Sequence, residues 1–488
     1  MNARAVVIGA GANELVAAHV LARGGWNVLV LDRTAAHADG APEAVGWVAP
    51  AIVRDLELER HGLKIQRPDP WVSAPVADGA RLVLWNDVTR SAESIRRFSP
   101  NDAARWPAFC EQMSTLARAL ETLSMAPPPD LMGEGIAALA ELGGLALRLR
   151  RMGRQGLEDL LRIVPMPIAD LLDDWFECDA LKGVLGAAGV LHLHQGPRAG
   201  GTTLNFLQNH VGCAPGVFRP ALSNVVRLLG ALPGIELRRG VEAARIEVRE
   251  GQVTGVSLAG GEKIPAALVL SGADPRRTLL GLLDPGWLDP EFARTLRGMR
   301  SRGVVAQVTL TLDHAAGFET LAIAPSLDYL ERAHDDAKYG RVSQQPYIEA
   351  RAEDRSVHAH VQFAPYALTG AGWDDVQRDA LADLVVRTLD AHAPGLSTAV
   401  TARGVLAPPD LERQFGWPEG QMHHAEPALD QWLWMRPTPE LARYRTPIGG
   451  LYLCGPGMHP GAWMPGASGY HAARNALQAL RDRPTFPS

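Results

Sequence analysis

Short apolar runs alternate with helical periods at both ends of the 488-residue chain. Residues 4–8, RAVVI, read as a buried parallel strand, because a strand covered on both faces is almost continuously apolar. Residues 12–23 carry Leu15, Ala18, Val20 and Leu21 at helical spacing, and Gly24-Gly25 ends that helix. Residues 27–31, NVLVL, predict a second buried strand that closes at Asp32. From Pro100 to about Leu204 the pattern is largely helical, with Ser99 as an N-cap candidate. Inside it, GIAALAELGGLALRLRRMGRQG sets an apolar body beside Arg148, Arg150, Arg151 and Arg154. That segment reads as a solvated amphipathic helix or, more sharply, as a helix lying on a membrane surface.

From Pro220 the α/β pattern returns. ALSNVVRLLGAL predicts a helix, followed by strands with hairpin turns at Glu250-Gly251 and Gly260-Gly261. GVVAQVTLTLD and SVHAHVQFAPY predict strands of a second sheet, with a helix from Trp373 to His392. The last segment reads as strand, glycine-rich loop and helix. The whole predicts an α/β protein. A doubly wound, Rossmann-type domain (1–75, 205–290 and 440–488) interleaves with an α+β substrate domain (76–204 and 291–439). The substrate domain carries a mostly helical insertion at about 100–200.

The start has the order a dinucleotide fingerprint requires: strand, glycine turn, helix, strand, acid at the strand end. Gly9 and Gly11 occupy the first two glycine positions of G-x-G-x-x-G, but the third is Glu14. Composition narrows the partners. A net charge of -6 and the absence of a basic tail give no pull toward nucleic acid. Cys110, Cys178, Cys213 and Cys454 form no C-x-x-C pair, which argues against a zinc ribbon and a redox disulfide and suits a reducing compartment. With no signal-like N-terminal segment and no apolar run of bilayer length, the expectation is cytoplasmic, with peripheral membrane contact through the helical insertion as the sharper variant. The pattern fixes no oligomeric state.

Three stretches carry a family likeness: VVIGAG with LVAAHVLARGG and NVLVLDR, then GVEAARIEV with VTGVSLAGGE and VLSGADPRRT, and finally YRTPIGGLYLCGPGMHPGAWMPGASGYHAARNA. Together they resemble the phytoene desaturase-like flavoproteins, most of all the pyridine nucleotide-disulphide oxidoreductase domain-containing protein 2 group. The resemblance covers nearly the whole chain and implies bound FAD. It implies that Gly9, Gly11, Ala12 and Asn13 hold the pyrophosphate, with Glu14, Arg33 and Gly40 in the same cofactor-binding region. Asp32 would bind the adenosine ribose and Ala243 would offer backbone to the adenine. Gly455, Gly457, Pro460, Gly461, Gly466 and Ala467 would wrap the ribityl chain and the flavin edge. Helix N-termini near Gly11 and Gly466 suit phosphate and the negative edge of a reduced flavin.

The chain departs from the family pattern at several glycines. Besides Glu14, Asp32 replaces a longer Glu, and only Gly40 survives of a glycine pair in DRTAAHADGAPEA. FRPALSN has Ala221 and Leu222 where glycines are usual, and Ala462-Trp463 replaces Gly-Gly. A carboxylate aimed at the pyrophosphate would repel it by on the order of 4 kcal/mol at 4 Å near a protein surface. Glu14 is therefore expected to turn aside, toward solvent or Arg33.

Flavin dehydrogenation asks the protein mainly for orientation and exclusion of water. The densest polar and aromatic stretch, QFGWPEGQMHHAEPALDQWLWMRP, offers His423, His424, Glu426, Asp430 and Arg436 for proton handling or anchoring. His424 leads, since an unperturbed imidazole titrates near neutrality. His459 and Trp463 lie inside the flavin loop, where Trp463 would set an indole at the flavin edge or across one face. His192, His194 and Gln195 are second-rank pocket residues. His358 and His360 share a strand face but have no further ligand nearby, so no metal site is expected. The leading reading is an FAD-dependent oxidoreductase that dehydrogenates or desaturates a largely apolar small molecule by hydride transfer to flavin N5. The alternatives are a redox-neutral flavin-dependent isomerase and a non-catalytic binding protein that has lost FAD.

Overall fold

The computed structural model describes residues 4–34, 44–76, 79–130 and 135–481. Five parallel strands, β1 (Arg4–Ile8), β2 (Asn27–Asp32), β3 (Glu236–Arg239), β4 (Leu268–Ser271) and β5 (Leu451–Leu453), lie in the order β5-β4-β1-β2-β3. Val6 pairs with Val269 on one edge and Leu29 on the other, so β1 is a central strand, and its residues 5–8 are buried. Helix α1 (Ala12–Arg23) follows β1, and helix α2 (Ala467–Arg481) follows β5. From β1 the chain steps to β2 and β3 on one side, whereas β4 and β5 lie on the other. The order therefore reverses between β1 and β4, and in open α/β sheets ligands bind beyond the carboxyl ends of the strands at such a point.

Helix α1 buries Leu15, Val16, Ala17, Ala18 and Leu21, and stops at Gly24-Gly25, where Gly25 takes a left-handed φ of 88°. It is covered on its outer face by α2, and the approach is close. A Cβ on Gly469 would lie 1.7 Å from the carbonyl oxygen of Asn13, and one on Gly466 would lie 2.7 Å from Val16 Cγ2. Between β3 and β4, three antiparallel strands turn at Glu250 and Gly251, both with positive φ, the conformation a two-residue hairpin demands.

The helical insertion follows its polar and apolar pattern. The helix Pro100–Ser124 is capped by Ser99, whose hydroxyl accepts from the Asp102 N–H at 3.0 Å. Its core is aromatic: Phe109 meets Phe176 at 4.9 Å, and Phe206 stacks on Phe218 at 4.5 Å between ring centroids. The helix Ile136–Arg151 leaves Ile136, Leu139 and Leu147 exposed on the same helix as Arg150 and Arg151. Among the described residues no helix is long and apolar enough to cross a membrane. The second sheet is antiparallel, in the order Thr320–Ile323, Tyr347–Glu353, Ser356–Gln362, Val305–Leu312, Val400–Leu406. Leu381, Val385 and Leu389 of the helix Asp375–Asp390 join its core.

The contact between α1 and α2 admits no side chain at position 469. Gly469→Ala is expected to lower the unfolding free energy by about 1–3 kcal/mol, the usual cost of overpacking, read as a fall in the urea midpoint. An unchanged midpoint would contradict the close approach.

Candidate active site

Three glycine turns converge where the strand order reverses. Gly9, with a φ of 101°, and Gly11 follow β1, Gly272 follows β4, and Gly455 follows β5. The last two run backbone to backbone, since a Cβ on Gly455 would lie 2.2 Å from the Gly272 carbonyl oxygen. Gly11 caps α1 without a side-chain bond, so the first-turn amides of Ala12, Asn13 and Glu14 begin a helix at this crevice. Asn13 is buried and its Oδ1 has no hydrogen-bond partner.

Glu14 does not turn to solvent or to Arg33. It is 5% exposed, and its carboxyl lies between the Gly9–Gly11 loop and Gly272. Oε2 stands 2.6 Å from where a Gly11 Cβ would be, and Oε1 stands 2.0 Å from a Gly272 Cβ. Space that three glycines leave empty is what holds this side chain. Burial pushes its pKa up to about 8, with the charge of Asp32 adding to the rise and the backbone N–H groups of Glu14 and Gly11 opposing it. Arg33 points elsewhere, donating to the carbonyl oxygen of Arg413 at 2.8 Å. Asp32, at the end of β2, accepts from the Thr34 N–H and pairs with Arg239 at 3.4 Å. Ala243 opens the next strand, two residues past Val241, whose N–H donates to the Asp32 carbonyl at 2.8 Å. Gly40 lies outside the described residues.

The loop from Gly455 to Gly466 gathers most of the remaining candidates. Gly461 and Gly466 have φ of 109° and 87°, turns that glycine makes without strain. Pro460 precedes the first, and Ala467 starts α2 after the second. His459 is a strut. Its Nε2 lies 3.2 and 3.1 Å from the carbonyl oxygens of Ser124 and Ala126, tying this loop to the end of the helix Pro100–Ser124. Trp463 is buried, with its ring 5.2 Å from His423 and 5.5 Å from the Arg436 guanidinium. His424 packs its Cβ within 3.2 Å of a Cβ built on Gly457.

Arg436 joins the two loops. Its Nη2 donates to the carbonyl oxygens of His423 and Pro456 at 2.8 Å each. It is fully buried, and among the described residues no carboxylate pairs with it. Burial pulls its pKa down to about 9, still above neutrality, so a guanidinium charge remains beside the glycine-rich loop. Burial also changes the expectation for the histidines. His424 is held down at about 3 by burial and by the charges of Arg436 and Arg276, and His459 at about 3 by burial and His471. Burial pushes His423 and His192 well below the ordinary imidazole range. These rings are neutral hydrogen-bonding groups rather than proton shuttles tuned to neutral pH.

Glu426 also takes a different job from the proton handling expected of it. Both its oxygens face Arg302, at 2.5 and 3.1 Å, and Arg300 approaches to 3.8 Å while binding Asp430. The buried carboxylate clamps the 424–426 segment against residues 300–302, where Ser301 donates to the His424 carbonyl at 2.7 Å. His192 and His360 extend the buried polar wall toward the second sheet, with ring centroids 5.0 Å apart, and His192 reaches His423 at 5.3 Å. His194 meets His334 edge to face instead, half-buried Gln195 sits on the same turn, and His358 lies exposed beside Thr309. Arg302 had no sequence signal, and Gly272, though inside VLSGADPRRT, gave none of its contact with Glu14, because each acts on a residue far along the chain.

A family model described as flavin containing amine oxidoreductase matches residues 79–477. The chain is 31% identical to pyridine nucleotide-disulfide oxidoreductase domain-containing protein 2 of Rattus norvegicus, over 98% of this chain and 94% of that one. It is 26% identical to hydroxyneurosporene desaturase of Rubrivivax gelatinosus, over 98% and 94%. Cyclohexylamine oxidase of Brevibacterium oxydans shares the fold, with a TM-score of 0.54 at 15% identity over 98% of this chain and 99% of that one.

Two outcomes follow from this geometry. Arg302→Ala leaves the buried Glu426 with Arg300 alone, at 3.8 Å and shared with Asp430. Its expected cost is about 2 kcal/mol of stability, below the usual range for a broken buried pair because the Arg302 side chain is 44% exposed. Urea unfolding measures it, and unchanged stability would contradict the clamp. Because the pocket histidines stay neutral, single-turnover flavin reduction by substrate should show no inflection near the ordinary histidine pKa of about 6.5. An inflection there that disappears in His424→Gln would contradict this.

Proposed function

The chain belongs to the family of flavin containing amine oxidoreductases and is an FAD-dependent oxidoreductase, and from that premise we propose that it dehydrogenates a largely apolar small molecule. Its residues fit the cofactor. The crevice has glycine where backbones must approach closely, and two helices start at it. Around the Gly455–Gly466 loop, Arg436 Nε, His423 Nδ1, His424 Nδ1, His459 Nδ1 and Trp463 Nε1 are all buried without a hydrogen-bond partner. Orphaned buried polar atoms are costly. Five of them converging on one loop is the observation that carries the reading: a polar-edged ring system and one end of a substrate would satisfy them.

When bound, FAD supplies the hydride acceptor. The protein supplies the setting. Arg436 holds a positive charge near the start of α2, where helix amides also favour negative charge. His423, His424 and Trp463, all buried, keep water out and leave neutral donors and acceptors to orient a substrate. None of these histidines carries charge at neutral pH, which suits removal of hydride from a carbon more than acid–base chemistry on a polar group. The desaturase relative supports an apolar substrate body.

Purified protein should be yellow, with a flavin band at roughly 450 nm. Under anaerobic conditions an isoprenoid alkene or alcohol should bleach that band, and a primary amine of similar size should not. Bleaching by the amine alone would overturn the apolar-substrate reading. A colourless preparation that takes up no flavin would overturn the enzyme.

A further inference from the structure

Position 14 is where dinucleotide-binding turns carry their third glycine, so that helix and strand can close together. Here a carboxyl fills that gap. Its stem packs between Gly9 and Gly272, and its oxygens lie against Gly11 and Gly272, with the backbone N–H groups of Gly11 and Glu14 facing them. Those N–H groups belong to the turn that would meet a pyrophosphate. The carboxyl is thus not a remote neighbour of the phosphate cradle but one of its walls.

We propose that Glu14 is a cofactor-positioning residue that works as a neutral acid, its O–H donating to the pyrophosphate of bound FAD, so that FAD binding is coupled to protonation of this one side chain. The proposal rests on the FAD assignment. An ionised Glu14 would meet the pyrophosphate with like charge in a crevice closed to solvent. The same carboxyl, protonated, offers the phosphate a donor in place of a missing glycine. A pKa of about 8 in the cofactor-free protein makes the neutral form the resting one at physiological pH.

The charged and titratable groups facing Glu14 are few. Asp32 at the end of β2 opposes its ionisation and is itself paired with Arg239 of β3. Cys454, at the end of β5, has its thiol pushed far up by burial and by Glu14, so it stays neutral. The turn after β4 contributes only Gly272 at the contact, and α2 contributes Gly469 against Asn13. Among these neighbours, Glu14 is the group that changes charge near pH 8.

The test measures FAD affinity by fluorescence quenching on apoprotein from pH 6 to pH 9.5, for the natural protein, Glu14→Gln and Glu14→Gly. Calorimetric proton counting in two buffers accompanies it. For the natural protein the Kd should be flat below about pH 7 and rise towards tenfold per unit above about pH 8, with close to one proton taken up per FAD at pH 9 and none at pH 6. Glu14→Gln, which keeps a donor and cannot ionise, should bind with a Kd that changes at least tenfold less across the range than the natural protein's, since whatever Arg436 adds near pH 9 is common to both. Glu14→Gly should bind at least tenfold more tightly than the natural protein at pH 9.5. A natural-protein Kd that stays within threefold, or a Gln variant with the same slope, overturns the coupling while leaving FAD binding intact. No binding by any of the three at pH 6 overturns the FAD assignment and the proposal with it.

Discussion

The structure depends on how closely four backbone segments approach one another beyond the ends of β1, β4 and β5. Gly455 admits no Cβ because the Gly272 carbonyl is there, and Gly469 admits none because Asn13 is there. Gly9 and Gly11 meet the same region through the Glu14 side chain. This contact brings together segments from the start, the middle and the end of the chain, so the crevice depends on β1, β4 and β5 lying side by side. It also fixes the starts of α1 and α2 beside each other. Glu14 occupies the space that this packing leaves. Its burial follows from the glycines around it and not from any preference of its own.

The chemistry of the site is set by desolvation more than by charge. Burial neutralises the histidines, keeps Cys454 a thiol and Glu14 an acid, and leaves Arg436 as a buried cation whose bonds go to carbonyl oxygens. Glu426, buried between Arg302 and Arg300, is spent on holding the 424–426 segment in place. What remains facing the glycine-rich loop is a neutral polar wall with one positive charge. That arrangement suits a ligand with an electron-rich edge.

Much of this was legible in the sequence because it is local. The apolar runs of β1 and β2, the stop at Gly24-Gly25, the hairpin turn at Glu250-Gly251 and the Ser99 cap are each specified within a few residues. The resemblance to phytoene desaturase-like flavoproteins rested on the C-terminal glycine loop, whose strand and helix neighbours are where the pattern set them. What stayed hidden is what depends on distant partners. Glu14 was expected to turn outward because the sequence cannot show that Gly272 leaves it a berth. Glu426 looked available because its partner Arg302 is 124 residues away. His424 looked tuned to neutrality because its burial, and the nearby charges of Arg436 and Arg276, arise only in the folded chain.

The most direct measurement is a crystal structure of the protein with FAD bound, at a resolution that places the pyrophosphate and the Glu14 carboxyl. The account predicts the pyrophosphate at the Gly9–Gly11 turn beside Gly272, with a Glu14 oxygen about 2.5–3.0 Å from a phosphate oxygen, the spacing of an O–H donor to its acceptor. A pyrophosphate seated away from this turn, or a Glu14 side chain turned out of the crevice, would contradict it.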